Sequence, residues 1–352
     1  MKILIIKVAA IGDYLLTTPA IRALKKGNKD AQLLMVAGQS IETAVEKNPY
    51  LDRIYLVDDR KIFHGNFFQR VGEVLRISAV LRAERIDVGL NFHRDWRFNI
   101  ILYLASVKRR IGFLRKRRYF LTDAVKVEGI KHHVFHYCDL LKPLGIVCLD
   151  FKLEFPIDPK LAAAVSERFL DPHRLSDFVA VAPGGAVNVK EEMAIRRWGS
   201  ERFSQLVHLL LQHGLKVVLL GSADDWKIAR VIKEQNPGCI DYTGITSLKE
   251  AAAIIQKARV LICNDSGLMH LAEAVGTRVI AIFGPTHPDE KRPLSAGNIA
   301  VWKGEKLICS PCYHNGKFPV HCTHLSCFSR IRPEEIFNLV MDFLVQSEGS
   351  RL

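Results

Sequence analysis

Continuous apolar runs of strand length alternate along this chain with segments whose apolar residues return every three or four positions. In the first half the runs are KILIIKVA (2–9), AQLLMVAG (31–38), RIYLV (53–57) and DVGLNF (87–92), with RRIGF (109–113) as a shorter candidate. An amphipathic segment from about 15 to 27 follows the first of them, and helix-length stretches separate the others. Strands that are apolar throughout are buried on both faces, and helices between them make neighbouring strands parallel. The pattern predicts one doubly wound domain ending near residue 150.

Residues 151–177, with three prolines, break the rhythm and read as a connection. The alternation then restarts with FVAVAPGG (178–185), LKVVLLG (215–221), CIDYTG (239–244), RVLICND (259–265) and RVIAIFG (278–284). A last amphipathic helix is predicted over 333–346, with Pro333 in its first turn and Glu334 and Glu335 at the positive end of its dipole. This helix is a candidate to pack back toward the first domain. The predicted fold is α/β, with two Rossmann-like doubly wound parallel-sheet domains spanning 1–158 and 159–352. Such sheets bind ligands at the carboxyl ends of their strands, so a cleft between the two sets of strand ends is the expected site. No internal repeat is visible in the sequence.

A length of 352 residues suits two domains. No apolar run approaches the ~20 residues that cross a bilayer. The N-terminus enters its first strand at once, without a signal peptide's apolar core and cleavage site, which points to a cytoplasmic protein. The formal charge of +13 points to anionic partners: nucleic acid, membrane surfaces or anionic substrates. Part of it is local, since KRRIGFLRKRR (108–118) holds seven basic residues and no acid. Eight cysteines in a cytoplasmic chain argue against a disulfide framework. Cys138, Cys148, Cys239 and Cys263 read as core residues. Cys309, Cys312, Cys322 and Cys327 cluster late with zinc-like spacing, and read either as a structural metal site or as reduced structural thiols.

Two stretches carry candidate chemistry. In VAAIGDYLLTTPAI (8–21), Asp13 follows Gly12 where an apolar run ends, a position that suits a helix cap or a catalytic base. In ICNDSGLMHLAEAVGTRVIAIFGPTHP (262–288), a strand ends at Asn264 and Asp265, and Ser266 and Gly267 open a helix. The unpaired amides and dipole of a helix start bind anions, although an aspartate cap and a tight turn explain the same residues. Gly284 and Thr286 end the next strand at the same sheet edge. Gly184 (in APGG) and Asp224 or Asp225 (in GSADD) end two more, where a carboxylate could take ribose hydroxyls or cap a helix. Neither a GxGxxG nor a GxxxxGK[ST] pattern occurs in this half, which disfavours dinucleotide and P-loop binding.

IGDYLLTTPAIRALK, RRIGF, APGG…RRW, GSADD, NDSGLMHLAEAVGTRVIAIFGPTHP and CSPC…C…C…RPEEI, in this order over nearly the whole chain, resemble the ADP-heptose:lipopolysaccharide heptosyltransferase family, glycosyltransferase family 9. The resemblance implies a GT-B fold, with acceptor bound by the first domain and nucleotide-sugar donor by the second. It implies that Asp13 is the general base on the acceptor hydroxyl. It also implies that Asp265, Ser266 and Gly267, followed by Met269 and His270, bind the donor, and that Asp225 is the nucleotide-binding acid. The family's Lys-x-Trp lysine, which meets the donor phosphates, is replaced by Arg196 of Arg196-Arg197-Trp198. Arginine keeps the charge but is not interchangeable with lysine.

Direct displacement by the acceptor inverts the anomeric carbon, and no DxD motif holds a divalent ion, so an inverting, metal-independent transfer without a cofactor is expected. Arg196 and the helix start at Ser266 would meet the leaving diphosphate. Gly12, Thr17, His93, Arg94, Arg97, Arg109 and Arg110 are candidate acceptor contacts. The basic run suits either a solvated face or contact with anionic acceptor groups or the inner leaflet. His132, His133 and His136 are expected to line a helix start rather than bind metal. The expected partners are ADP-heptose or a related nucleotide-sugar, an anionic lipopolysaccharide-core acceptor (Kdo-lipid A or heptosyl) and, peripherally, the inner-membrane surface. No nucleic-acid partner is expected, and the protein is expected to be a monomer. Rival readings are a GT-B enzyme using another nucleotide-sugar, and a non-catalytic protein that binds nucleic acid or an anionic surface.

Overall fold

The computed structural model describes residues 1–114, 116–185, 192–312, 322 and 324–349, so Arg115 of the basic run lies outside the described residues. The chain divides into two compact units, Met1–Phe155 and the described residues from Pro156 onward.

The first unit is built on β1 (Lys2–Ile6), β2 (Gln32–Gly38), β3 (Arg53–Val57), β4 (Val88–Asn91), β5 (Arg109–Leu114) and β6 (Asp123–Lys126). Their order in the sheet is β3-β2-β1-β4-β5-β6, and every neighbouring pair is parallel. Central β1 pairs Ile5 with Met35 on one side and Leu90 on the other. Its residues Ile3, Leu4, Ile5 and Ile6 are wholly buried, as an apolar strand covered on both faces must be. The helices used below are α1 (Ile11–Leu15), α2 (Thr18–Gly27), α3 (Phe67–Ala83), α4 (Arg97–Leu104) and α5 (His133–Asp139). Ile77 and Leu81 of α3 and Phe98, Ile101 and Leu102 of α4 form one core with Leu4, Ile6, Leu34 and Val36 of the sheet. The expected amphipathic segment over 15–27 is broken at Leu16 and Thr17, so that α2 begins afresh with Pro19 in its first turn. Strand β6 was not expected; DAVK is short, carries charge at both ends and is only half-buried at the sheet edge.

The second unit carries β7 (Phe178–Ala182), β8 (Lys216–Leu219), β9 (Ile240–Asp241), β10 (Val260–Asn264), β11 (Val279–Phe283) and β12 (Ile299–Trp302). They form a parallel sheet in the order β12-β11-β10-β7-β8-β9. Counted from its own first strand, this is the same order as in the first unit, a repeat that residue identities do not betray. Strand β12 was also unexpected, being a four-residue edge strand. The helices used below are α6 (Pro159–Val165), α7 (Ser200–Gln212), α8 (Gly267–Val275) and α9 (Pro333–Gly349). Residues 151–177 are therefore more than a connection. Asp158 caps α6 by accepting from the Lys160 amide at 2.8 Å, and Pro159 starts the helix instead of breaking one. Helix α9 lies against α7 and β11, and its Ile336, Val340 and Phe343 join Trp198, Val207 and Phe328 in the core of this unit.

In each sheet the chain works outward in one direction from the first strand and in the other from the fourth. Connections leaving β1 and β4, and those leaving β7 and β10, therefore diverge and open a crevice at the carboxyl ends of those strands. The α/β fold with two parallel sheets expected from the sequence is the fold observed.

Candidate functional site

The first crevice lies between the ends of β1 and β4. The Val8 amide, leaving β1, donates to Nε2 of His93, which follows β4, at 2.7 Å. A backbone N–H can only donate, so Nε2 is unprotonated and the ring is the neutral Nδ1–H tautomer. The imidazole is buried and stacks on Phe98 with centroids 4.2 Å apart. His93, expected to contact the acceptor, serves within the fold as a clamp that joins the two strand ends.

Asp13 sits in the first turn of α1, one turn beyond the cap position, which is Ala10. Its side chain is 24% exposed, and Oδ2 lies 3.6 Å from the Lys7 ammonium, which is almost wholly buried. Lys7 Nζ also donates to the Tyr137 hydroxyl at 3.0 Å and stands 5.1 Å from the centroid of that ring. A buried cation is sustained only by such partners. Sequence reasoning missed Lys7, although a lone charge inside KILIIKVA was the available signal.

Several expected acceptor contacts are committed elsewhere. Thr17 is fully buried and its hydroxyl donates to the Tyr14 carbonyl at 2.6 Å, which closes the turn between α1 and α2. Arg109 pairs with Asp123 at 2.9 Å and donates to the Pro143 carbonyl, while Arg110 donates to the carbonyls of Phe120 and Val107, each at 2.6 Å. These two arginines hold β5 to its neighbours. Arg97 is held by Asp95 at 2.6 Å, although its side chain stays largely exposed. Gly12 is buried within α1, and Arg94 is exposed. As expected, His132 starts a helix: its Nδ1 accepts from the Val134 amide at the head of α5.

The second crevice lies between the ends of β7 and β10. Asn264 closes it much as His93 closes the first. Its Nδ2 donates to the carbonyls of Pro183 (2.8 Å) and Gly184 (3.0 Å), and its Oδ1 accepts from the Trp198 amide at 3.0 Å. The two glycines of APGG are dictated by close approach. A Cβ on Gly184 would overlap the Asp225 carboxyl, and one on Gly185, whose φ is +84°, would lie 2.6 Å from the Ser266 Cβ. Asp225 is buried and accepts from the Gly185 amide (2.8 Å) and from the amide (2.9 Å) and hydroxyl (2.8 Å) of Ser222. The capping alternative to a ribose contact thus describes what this carboxylate does within the fold.

Ser266 is the cap residue of α8, whose first amides open toward this crevice. Beside it, Arg196 Nη2 pairs with Asp265 Oδ2 at 2.6 Å and also donates to the Asp265 carbonyl. Thr286 donates to the same Oδ2 at 2.8 Å. Burial pushes the Asp265 carboxyl up, but Arg196, Lys291, the Thr286 hydroxyl and His270 outweigh it and hold the group below the usual carboxylate range. Asp265 is therefore an ionised anchor for Arg196. The Arg196 Nε–H is buried without a hydrogen-bond acceptor among the described residues. An orphaned buried donor on a guanidinium is costly unless an anion completes it. Lysine could not anchor to Asp265 through one nitrogen and present others, which gives the Arg196 substitution a physical reason. Two of the expected donor-site residues have a packing role in the fold. Met269 is wholly buried, so its side chain is core, and the space where Gly284 would carry a Cβ is filled by the Phe328 ring. His270 is likewise buried on α8.

Among the described residues no group of three or more His, Cys, Asp or Glu is arranged to hold a metal ion. Cys309 is exposed, whereas Cys312 and Cys327 are buried, and burial pushes their thiols up, that of Cys327 to about 11.

The profile of glycosyltransferase family 9 (heptosyltransferase) matches residues 74–319. The chain belongs to glycosyltransferase family 9. It is 27% identical over 312 residues to lipopolysaccharide heptosyltransferase 2 of Salmonella typhimurium, covering 84% of this chain and 86% of that one. It is 28% identical over 311 residues to lipopolysaccharide heptosyltransferase 3 of Escherichia coli, covering 83% and 85%. The fold is that of the solved E. coli ADP-heptose heptosyltransferase II, with a TM-score of 0.77 at 22% identity over 99% of this chain and 100% of the other. The family-9 protein is thus a glycosyltransferase, and each of its crevices lies at the carboxyl ends of parallel strands, the usual ligand position in a doubly wound sheet. No helix among its described residues is long and apolar enough to cross a membrane.

Proposed function

We propose that this glycosyltransferase moves a heptose from ADP-heptose to a lipopolysaccharide-core acceptor (Kdo-lipid A or heptosyl), with inversion, and that it works as a monomer at the cytoplasmic face of the inner membrane. The observation that carries the reading is the anchored Arg196, with its orphaned Nε–H, at the start of α8. A guanidinium and helix amides together suit a diphosphate. The lipopolysaccharide heptosyltransferases it resembles supply the class of sugar and acceptor.

In this reading Asp13 takes the proton of the acceptor hydroxyl. That oxygen forms a bond to the anomeric carbon while the bond from that carbon to the diphosphate oxygen breaks, and ADP departs with the electron pair. Arg196 and the amides at Ser266 and Gly267 meet the charge that develops on the leaving group, so the protein's own groups suffice to stabilise it. Asp265 and Thr286 act as positioning residues that keep the guanidinium aimed. The Lys7 ammonium counterbalances Asp13 while it is charged and holds it at the end of β1. Asp225 retains one lone pair on Oδ1 for a ribose hydroxyl.

Asp13→Asn is expected to lower turnover by about 10²–10⁴-fold, the range for loss of a general base, with the KM for ADP-heptose and the melting temperature little changed. Turnover near wild type in the folded variant would overturn the assignment. Loss of transfer on adding a chelator would overturn metal independence.

A further inference from the structure

Helix α3 is apolar on two opposite faces. Ile77 and Leu81 point into the core of the first unit. At 100° per residue, Phe68, Val71, Gly72, Leu75 and Ala79 fall together on the opposite side. All five are exposed, Phe68 at 82% and Leu75 at 53%, and Phe67 beside them is 72% exposed. The two phenylalanines meet edge to face at 5.7 Å, forming one exposed aromatic knob at the head of the helix. The stripe runs for much of a helix about 25 Å long. A water-facing helix ordinarily has a polar outer side; an apolar one of this extent marks an interaction surface.

Charge selects the partner. Residues 60–85 hold six arginines and lysines against two glutamates. Both glutamates are already neutralised, Glu73 by Arg76 at 2.6 Å and Glu84 by Lys2 at 2.6 Å and Arg53 at 2.7 Å. Arg60, Arg70, Arg82 and Arg85 are exposed in this segment, as is Lys61, which pairs with Asp58 at 3.3 Å. A second copy seated on this face would oppose cations to identical cations. An anionic bilayer offers hydrocarbon for the phenylalanines and leucine and phosphates for the arginines at the same depth.

We propose that the outer face of α3 docks this enzyme on an anionic membrane surface, with Phe67, Phe68, Val71 and Leu75 inserted at the headgroup boundary. The choice of a bilayer over another anionic partner rests on the proposed lipid-linked acceptor. The placement differs from the sequence-based expectation, which looked to the basic run at 108–118.

The test is co-sedimentation of the full chain with vesicles of phosphatidylcholine alone or with added phosphatidylglycerol, without sugar substrates. Wild type is expected to bind the anionic vesicles and to be released by salt. F67S/F68S/L75S, whose three positions are exposed and leave the core untouched, is expected to keep its melting temperature and bind about tenfold more weakly or worse. Binding of this variant equal to wild type overturns the proposal, as does a salt-resistant dimer that the same substitutions dissociate. Transfer from ADP-heptose to a deacylated, water-soluble acceptor is measured in parallel. If transfer persists while vesicle binding is absent, docking fails and the enzymatic reading stands. If vesicle binding is lost in the variant but neither protein transfers, docking stands and the enzymatic reading fails.

Discussion

The charge state of His136 couples the fold to pH. Burial, with the Arg94 and Lys131 charges, pushes its pKa down from 6.5 to about 4. The unfolded chain therefore binds this proton first as pH falls. Stability from this group is complete above about pH 6.5, declines as pH falls toward 4, and changes no further below that. In denaturation series, the stability gap between wild type and His136→Gln is expected to shrink steadily between pH 6.5 and 4; a constant gap would refute the coupling. At this scale a residue stood out where a charge follows an apolar run, as with Asp13, or falls in a family motif, as with Arg196, and the roles of both remain the proposal made above. It was unreadable where one side chain had several possible neighbours. Arg109 and Arg110 looked like an anion site because their partners, Asp123 and the Phe120 carbonyl, lie more than a strand away. Thr17 looked available because nothing in the sequence tells that its hydroxyl turns back to Tyr14. Lys7 went unnoticed, and Asn264 was seen only as a strand end, because a single polar residue at the edge of a strand carries no periodicity.

Among the elements, long apolar strands were legible and short edge strands were not, since β6 and β12 have too few residues to show a pattern. The helix α6 was hidden by its own proline, which serves equally as a stop and as a first residue. Glycines at strand ends posed the same ambiguity: Gly184 and Gly284 both looked like ligand approaches, yet each is fixed by a neighbour inside the protein. Gly284→Ala must push aside the fully buried Phe328 ring. It is expected to destabilise the protein by about 1–3 kcal/mol, the usual range for overpacking, read as a lower denaturant midpoint. Pairing it with Phe328→Leu is expected to recover part of that loss. An alanine variant as stable as wild type would show that the Phe328 ring is free to move away from Gly284.

For the molecule as a whole, the two-sheet plan was evident from the alternation of strands and helices, whereas the shared strand order was not, because topology depends on which strands pair. On the proposed reading, nucleotide binds at the second crevice. ADP is then expected to slow backbone hydrogen exchange at residues 184–185 and 266–268 while leaving β1 and β4 unchanged; protection confined to the first unit would reverse the assignment of the two halves. The matching order of strands also bears on descent. Each sheet is complete in itself, so natural selection can reshape the loops after β7, β10 and β11 without disturbing a hydrogen bond in the other sheet. If donor and acceptor bind at different crevices, as proposed, a relative can change its donor sugar while keeping its acceptor half nearly intact, and the reverse. A lineage can change one substrate at a time.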